Sequence, residues 1–186
     1  SAAPGDIVLY VDAGAFLRRS PRPIWEANPA ADLFLFENDY LNRQYTKRDA
    51  FILTGTDAAG FHDARQLDAA FMLFRNGPAA RDLVRQWLDL CCDPRVVTDA
   101  PNRCGAANLP EFVAHRHDQS VLSLLFLRER SRLRYALYPR SLKHRFIVHH
   151  RRRTARVPIW LWHLCHDGAE SFFRRMAHVD LRQTQR

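Results

Sequence analysis

Residues 66–88, QLDAAFMLFRNGPAARDLVRQWL, carry the pattern that decides the fold. Gln66 to Arg75 is apolar and strand-like, and Asn76–Gly77–Pro78 ends it. Pro78 suits the first residue of a helix, where its missing N–H costs nothing. Leu83, Val84, Trp87, Leu88 and Leu90 then recur at helical spacing, predicting an amphipathic helix to about Cys92. Asp93–Pro94 stops it. A strand running through a tight turn into a helix is the repeating unit of α/β proteins.

Working outward, Asp6 to Val11 is a short apolar and β-branched run that reads as a buried strand ending at Asp12–Ala13–Gly14. Ser20 to Pro29 carries three prolines and predicts loop with at most a short helix. Leu33 to Phe36 is a short apolar run. Thr46 reads as the N-cap of a helix that opens with Lys47, Arg48 and Asp49. Thr98 to Pro110 is a long polar loop. His117 or Asp118 caps a buried helix through Val121 to Phe126. Short strands are expected at Arg134–Tyr138 and Arg145–Val148, and a last helical region at Ala169–Val179. The pattern predicts a single α/β domain with a mixed sheet flanked by helices.

The chain has 186 residues, is 47% hydrophobic and carries a formal charge of +8. That composition excludes disordered and collagen-like chains. The longest apolar run, Val121 to Leu127, is too short to span a membrane. The SAAPGD start has no basic stretch before an apolar one, so no signal peptide is expected. The charge is local. Residues 128–156 hold eleven Lys or Arg and one acid, Glu129, a local +10. A basic segment of this kind raises phosphorylated substrates, nucleic acid or another polyanion as partners. Cys91, Cys92, Cys104 and Cys165 form no CxxC pair and read as reduced thiols. Trp87 reads as core.

Four stretches could carry chemistry. Asp12, with Gly14 beside it, sits at the C-terminal end of a strand, where open α/β sheets bind ligands. A carboxylate there, with phosphate oxygens, is a usual way to hold Mg²⁺ or Mn²⁺. His115 to Ser120 places six polar residues before a buried helix. Asp118 in that stretch reads as a base, a sugar-hydroxyl acceptor or a simple cap. His149, His150 and Arg151 to Arg153 follow an apolar strand and suit a metal or an anion. Lys47 and Arg48 oppose the helix dipole at a helix start, as ligand-binding cations would.

In this order the stretches resemble a glycosyltransferase of the GT-A fold. The resemblance rests on GDIVLYVDAG, QYTKRDAF, QLDAAFMLFRNGPAARDLVRQWL and NLPEFVAHRHDQSVLSLLF, roughly residues 5 to 127. It implies a nucleotide-diphosphate-sugar donor, Mn²⁺ or Mg²⁺, and transfer to a glycan or other acceptor hydroxyl. Asp12, His149 and His150 would serve the metal. Lys47, Asp68, Ala69, His117, Gln119 and Arg151 would join Asp12 and Gly14 in binding substrate, and Asp118 would be the catalytic base. The motif at Asp12 is a DAG form with one carboxylate. Five residues precede the first strand, so a domain lacking its N-terminal nucleotide-binding strands is expected, with exposed strand edges open to self-association. The competing expectations are a basic protein binding nucleic acid or another polyanion, and an inactive truncated transferase homologue. The sequence does not fix a compartment. The cytoplasm or a membrane surface suits it, and the Golgi lumen if the chain is a fragment.

Overall fold

The computed structural model describes residues 2–149. Its contacts gather Ser1–Val148 into one compact unit. In chain order the elements are β1 (Ile7–Val11), β2 (Ala15–Leu17), α1 (Arg22–Glu26), β3 (Leu33–Leu41), α2 (Asn42–Tyr45), α3 (Arg48–Leu53) and α4 (Ala59–His62). Then come β4 (Arg65–Leu67), β5 (Phe71–Arg75), α5 (Pro78–Cys91), α6 (Pro94–Val97), α7 (His117–Glu129), β6 (Tyr135–Tyr138), α8 (Arg140–Lys143) and β7 (Ile147–His149). The architecture is mixed α/β. The expected region at 169–179, together with His150, Arg151 to Arg153, Arg156 and Cys165, lies outside the described residues.

The main sheet runs β1-β5-β3-β4, with β6 also on β3. β1 and β3 both lie antiparallel to β5, whereas β6 is parallel to β3, pairing Leu33 with Tyr135 through Phe36 with Tyr138. Hence β1, β3 and β6 share one direction and their C-terminal ends share one edge of the sheet. The Leu33–Phe36 run is the centre of this sheet, extended by Glu37 to Leu41 into nine residues. Its apolar half is buried on both faces and shows no alternation, so length and partners were hidden in the pattern.

Side-chain alternation sorts the two faces. Leu33, Leu35, Met72 and Phe74 face Ala80 and Leu83 of α5 and Leu122, Leu125 and Phe126 of α7. On the other face Phe36 meets Phe71 and Tyr138 with ring centroids 5.3 Å and 5.5 Å apart. The Tyr138 hydroxyl donates to the Ile24 carbonyl at 3.0 Å, closing that layer with α1. A second cluster joins Ala50 and Phe51 of α3, Val96 of α6, and Val121 and Leu124 of α7. Helix α7 is thus enclosed by the sheet on one side and α3 and α6 on the other, which explains why it is apolar all round. Its buried Ser120 and Ser123 satisfy themselves on carbonyls: Ser120 Oγ donates to Tyr45 O and Ser123 Oγ to Gln119 O, each at 2.6 Å.

Several expectations need correction. The Gln66–Arg75 strand is two strands, because Asp68 turns the chain: its Oδ1 accepts from the Ala70 N–H at 2.9 Å. β1 is half exposed, with Val8 and Tyr10 each at 40%, as befits an edge strand paired only to β5 among the described residues. Lys47, and not Thr46, takes the N-cap position of α3. Thr46 Oγ1 instead accepts from Gln66 Nε2 at 3.1 Å. Arg116 takes that position for α7. On α5, Leu88 is exposed and Leu83 carries the burial, with Trp87 packed against both clusters. Among the described residues, Cys91, Cys92 and Cys104 are free thiols.

Candidate functional site

The shared C-terminal edge of β1, β3 and β6 collects residues remote in sequence. Asp12 leaves β1 there, and its N–H donates to Ala70 O at 3.0 Å, which sets it beside the Asp68–Ala69–Ala70 turn. Asp12 is exposed, and its Oδ1 accepts from the Tyr10 hydroxyl at 3.1 Å. Tyr10 titrates above its ordinary range, first because it is partly buried, then through the hydrogen bond and charge of Asp12, and finally through the charge of Asp118. Two carboxylates from opposite parts of the chain therefore act on one phenol. Gly14 follows in open space, where an added Cβ meets nothing.

Asp118 is exposed in the first turn of α7, where the helix dipole favours an anion. Its backbone is anchored by Trp87, whose Nε1–H donates to Asp118 O at 2.9 Å. Gln119 Nε2 donates to Gln66 Oε1 at 2.8 Å, tying the helix start to β4. Gln66 Nε2 in turn donates to Tyr45 O, Thr46 Oγ1 and Ser120 Oγ. This buried amide network locks α7 against the strand that leads into Asp68. The Cys91 thiol at the end of α5 is pushed up to about 11, by burial first and by the charge of Asp118 next, so it stays protonated.

Asp68 and Ala69 are buried. The Asp68 carboxylate faces the buried Lys143 ammonium of α8 in a close ion pair. Asp68 is therefore neutralised within the protein, and Asp12 is the carboxylate of the pair open to solvent.

Lys47 and Asp49 are spent on the 98–108 loop. Lys47 Nζ, 3% exposed, donates to Thr98 O at 3.3 Å and Ala100 O at 2.6 Å. Asp49 accepts the N–H groups of Arg103 and Cys104. Burial works to raise the Asp49 carboxyl, but hydrogen bonds from Cys104 and Arg103 and the Lys47 charge outweigh it and hold the carboxyl below its usual range. Lys47, His115 and the loop residues Asp99, Asn102 and Asn108 line a small cleft of about 230 Å³, together with Phe112 and other apolar groups.

His115 is buried in that wall. The Lys47 N–H donates to its Nδ1 at 3.3 Å, so Nε2 carries the proton and donates to Val96 O at 2.7 Å. Burial is the main reason its pKa falls to about 4. His117 has φ of 41°, a left-handed conformation costly for a side chain with a Cβ. Its Nε2 lies 3.1 Å from Asp99 Oδ2.

The structure thus sets Asp12 beside Asp68 and Ala69, ties Gln119 of α7 to Gln66 next to them, and keeps Asp118 in the first turn of the same helix. Lys47 lines the adjoining loop cleft, and His117 reaches Asp99 on its rim. β7, which carries His149, pairs with β2 just beyond Gly14. Sequence reasoning missed Tyr10, Gln66, Asp39, Tyr40, Arg116, Arg140 and Lys143 on the same edge. Arg116 stood inside the quoted HRHDQS stretch, and only that position signalled it. Among the described residues no group of three or more His, Cys, Asp or Glu is placed to hold a metal. One exposed carboxylate suits a cation that arrives with phosphate oxygens and waters as its other ligands, so Asp12 fits a Mn²⁺ or Mg²⁺ carried by a diphosphate. No helix among the described residues is long and apolar enough to cross a membrane.

Comparison with protein-family models, curated proteins and solved structures yields no match.

Proposed function

We propose that the chain is a glycosyltransferase of GT-A-like arrangement, moving a sugar from a nucleotide-diphosphate donor to an acceptor hydroxyl. The observation that carries this reading is the exposed Asp12 carboxylate, held by the Tyr10 hydroxyl and set beside the Asp68–Ala70 turn at the C-terminal ends of the strands. Asp12 and the Asp68–Ala70 turn, remote in sequence, are neighbours there. Asp12 would hold the divalent cation with the diphosphate, and the Tyr10 hydroxyl orients its carboxylate. When bound, the cation would offset charge developing on the leaving diphosphate. Asp118 would accept the proton of the acceptor hydroxyl, as a positioned carboxylate base does. Gln119 and the Asp68–Ala69 turn would border the transferred sugar.

The test is thermal stabilisation with a panel of nucleoside diphosphates and their sugar conjugates, with and without Mn²⁺. Binding to the native state raises stability by mass action. Metal-dependent stabilisation by one nucleotide, lost in Asp12→Asn, is expected. A protein that responds to no nucleotide, or an Asp12→Asn variant that binds as tightly as wild type, would sink the proposal.

The competing polyanion reading draws support from the basic segment, but many of its cations are engaged. Arg128 donates to Thr54 O, Arg132 pairs with Glu129, Arg134 with Asp32, Arg140 with Asp39 and Lys143 with Asp68. Cations paired this way present less free charge to a phosphate backbone than the sequence count suggests.

A further inference from the structure

We infer that Arg116 forms an anion subsite on this edge, taking phosphate oxygens on the free rim of its guanidinium. The inference rests on the glycosyltransferase reading only for the source of that phosphate.

Arg116 stands at the start of α7, between the buried His115 and the strained His117. Its backbone is pinned: the N–H donates to Tyr45 O at 3.1 Å and to Ser120 Oγ at 3.2 Å. Its guanidinium carbon lies 4.1 Å from the Tyr40 ring centroid and 5.1 Å from that of Tyr45. The two rings are 4.6 Å apart and tilted by 51°, so they make an aromatic cradle that fixes the side chain. The Arg140 guanidinium lies 5.8 Å from the same Tyr40 ring.

What separates Arg116 from its neighbours is the missing counter-ion. Arg43, Arg48, Arg95, Arg134 and Arg140 each pair with a carboxylate. Among the described residues none pairs with Arg116. A half-buried cation with no acid of its own is left with an uncompensated desolvation cost that a bound anion would offset. Ring contact offsets part of that cost, and it occupies the faces of the guanidinium, not the N–H donors around its rim. Those donors form a planar fork that matches two phosphate oxygens.

The location fits the same ligand. Tyr40 is the last residue but one of β3, on the edge where Asp12 follows β1. Arg140 and Lys143 of α8 reach Asp39 and Asp68 of that edge. The positive end of α7 adds to the field felt by an anion there. Arg116 therefore supplies a fixed positive charge beside the C-terminal part of β3, among the described residues.

The experiment is calorimetric titration of the full chain with inorganic pyrophosphate at low salt, then with nucleoside diphosphates plus Mn²⁺. Two variants are compared with wild type: Arg116→Met, which keeps the stem on the tyrosines, and Arg116→Lys, which keeps charge but loses the fork. Pyrophosphate affinity is expected to fall at least tenfold in Arg116→Met and by less in Arg116→Lys, with melting temperatures unchanged. A parallel loss of nucleoside diphosphate binding assigns the site to the donor. A loss confined to pyrophosphate assigns it to an anion on another ligand. Arg116-dependent pyrophosphate binding with no response to any nucleotide removes the glycosyltransferase reading and leaves the subsite standing. Wild type that binds no pyrophosphate, or both variants matching wild type, would overturn the inference.

Discussion

Acidification between pH 6.5 and pH 4 should destabilise this protein through His115 in particular. The imidazole is 6% exposed and neutral, with Nδ1 accepting from Lys47 and Nε2 donating to Val96 O. Protonation would remove the acceptor at Nδ1 and place a charge in a wall that already holds the Lys47 ammonium. Its pKa lies at about 4 in the fold against 6.5 for the free side chain. Because the folded value is the lower one, the unfolded chain binds the extra proton first. Stability is then fully present above pH 6.5 and falls as the pH drops toward 4. The gap corresponds to about 3 kcal/mol when fully expressed, and about 2 kcal/mol of it is lost by pH 5. With a urea m-value of about 2 kcal/mol/M, the unfolding midpoint should drop by about 1 M between pH 7.5 and pH 5 from this group. His115→Gln keeps a donor for Val96 O and does not titrate. It should be less stable than wild type at pH 7.5 but flatter with pH, so that the two curves converge in acid. Asp49 does not confuse the comparison. Its carboxyl is held low, so its contribution is lost only as the pH falls below its ordinary 3.8. Parallel pH profiles for wild type and His115→Gln between pH 7.5 and pH 5 would refute the reasoning.

Asp68→Ala removes the carboxylate facing the buried Lys143 and should cost about 3 kcal/mol in urea unfolding. The double variant Asp68→Leu with Lys143→Met should recover part of that loss. Asp49→Ala frees the Arg103 and Cys104 amides, so limited proteolysis should cut the 99–108 loop faster than in wild type. Trp87→Phe keeps the ring packing but loses the hydrogen bond to Asp118 O. It should cost about 1 kcal/mol in urea unfolding and, on the proposed glycosyltransferase reading, should slow transfer more than it weakens nucleotide binding.

Much of the secondary structure was legible because its causes are local. Pro78 after Asn76–Gly77, the spacing from Leu83 to Leu90, and Asp93–Pro94 each act within a turn or two of chain, and α5 runs from Pro78 to Cys91. The buried character of α7 was equally plain in Val121 to Phe126. The candidate site was legible in part for the same reason. Asp12 ends a strand and Asp118 opens a helix, and both positions follow from local pattern.

The failures share one cause. Thr46 has a capping side chain by type, yet Gln66 from 20 residues away claims its oxygen. Lys47 reads as a solvated or ligand-binding cation until the carbonyls of Thr98 and Ala100 close over it. Asp68 looks like one more residue of a strand until Lys143, 75 positions on, meets it.

The sequence by itself determined the mixed α/β class, the boundaries of the long helices and the residue types that carry charge. Tertiary structure alone decided which charges stay free. Its sheet order puts β1, β3 and β6 in one direction, and its packing leaves Asp12 and Asp118 exposed and Arg116 half-buried while pairing Asp68 and burying Lys47. Pairing depends on register and on contacts between distant segments, and no local periodicity encodes those.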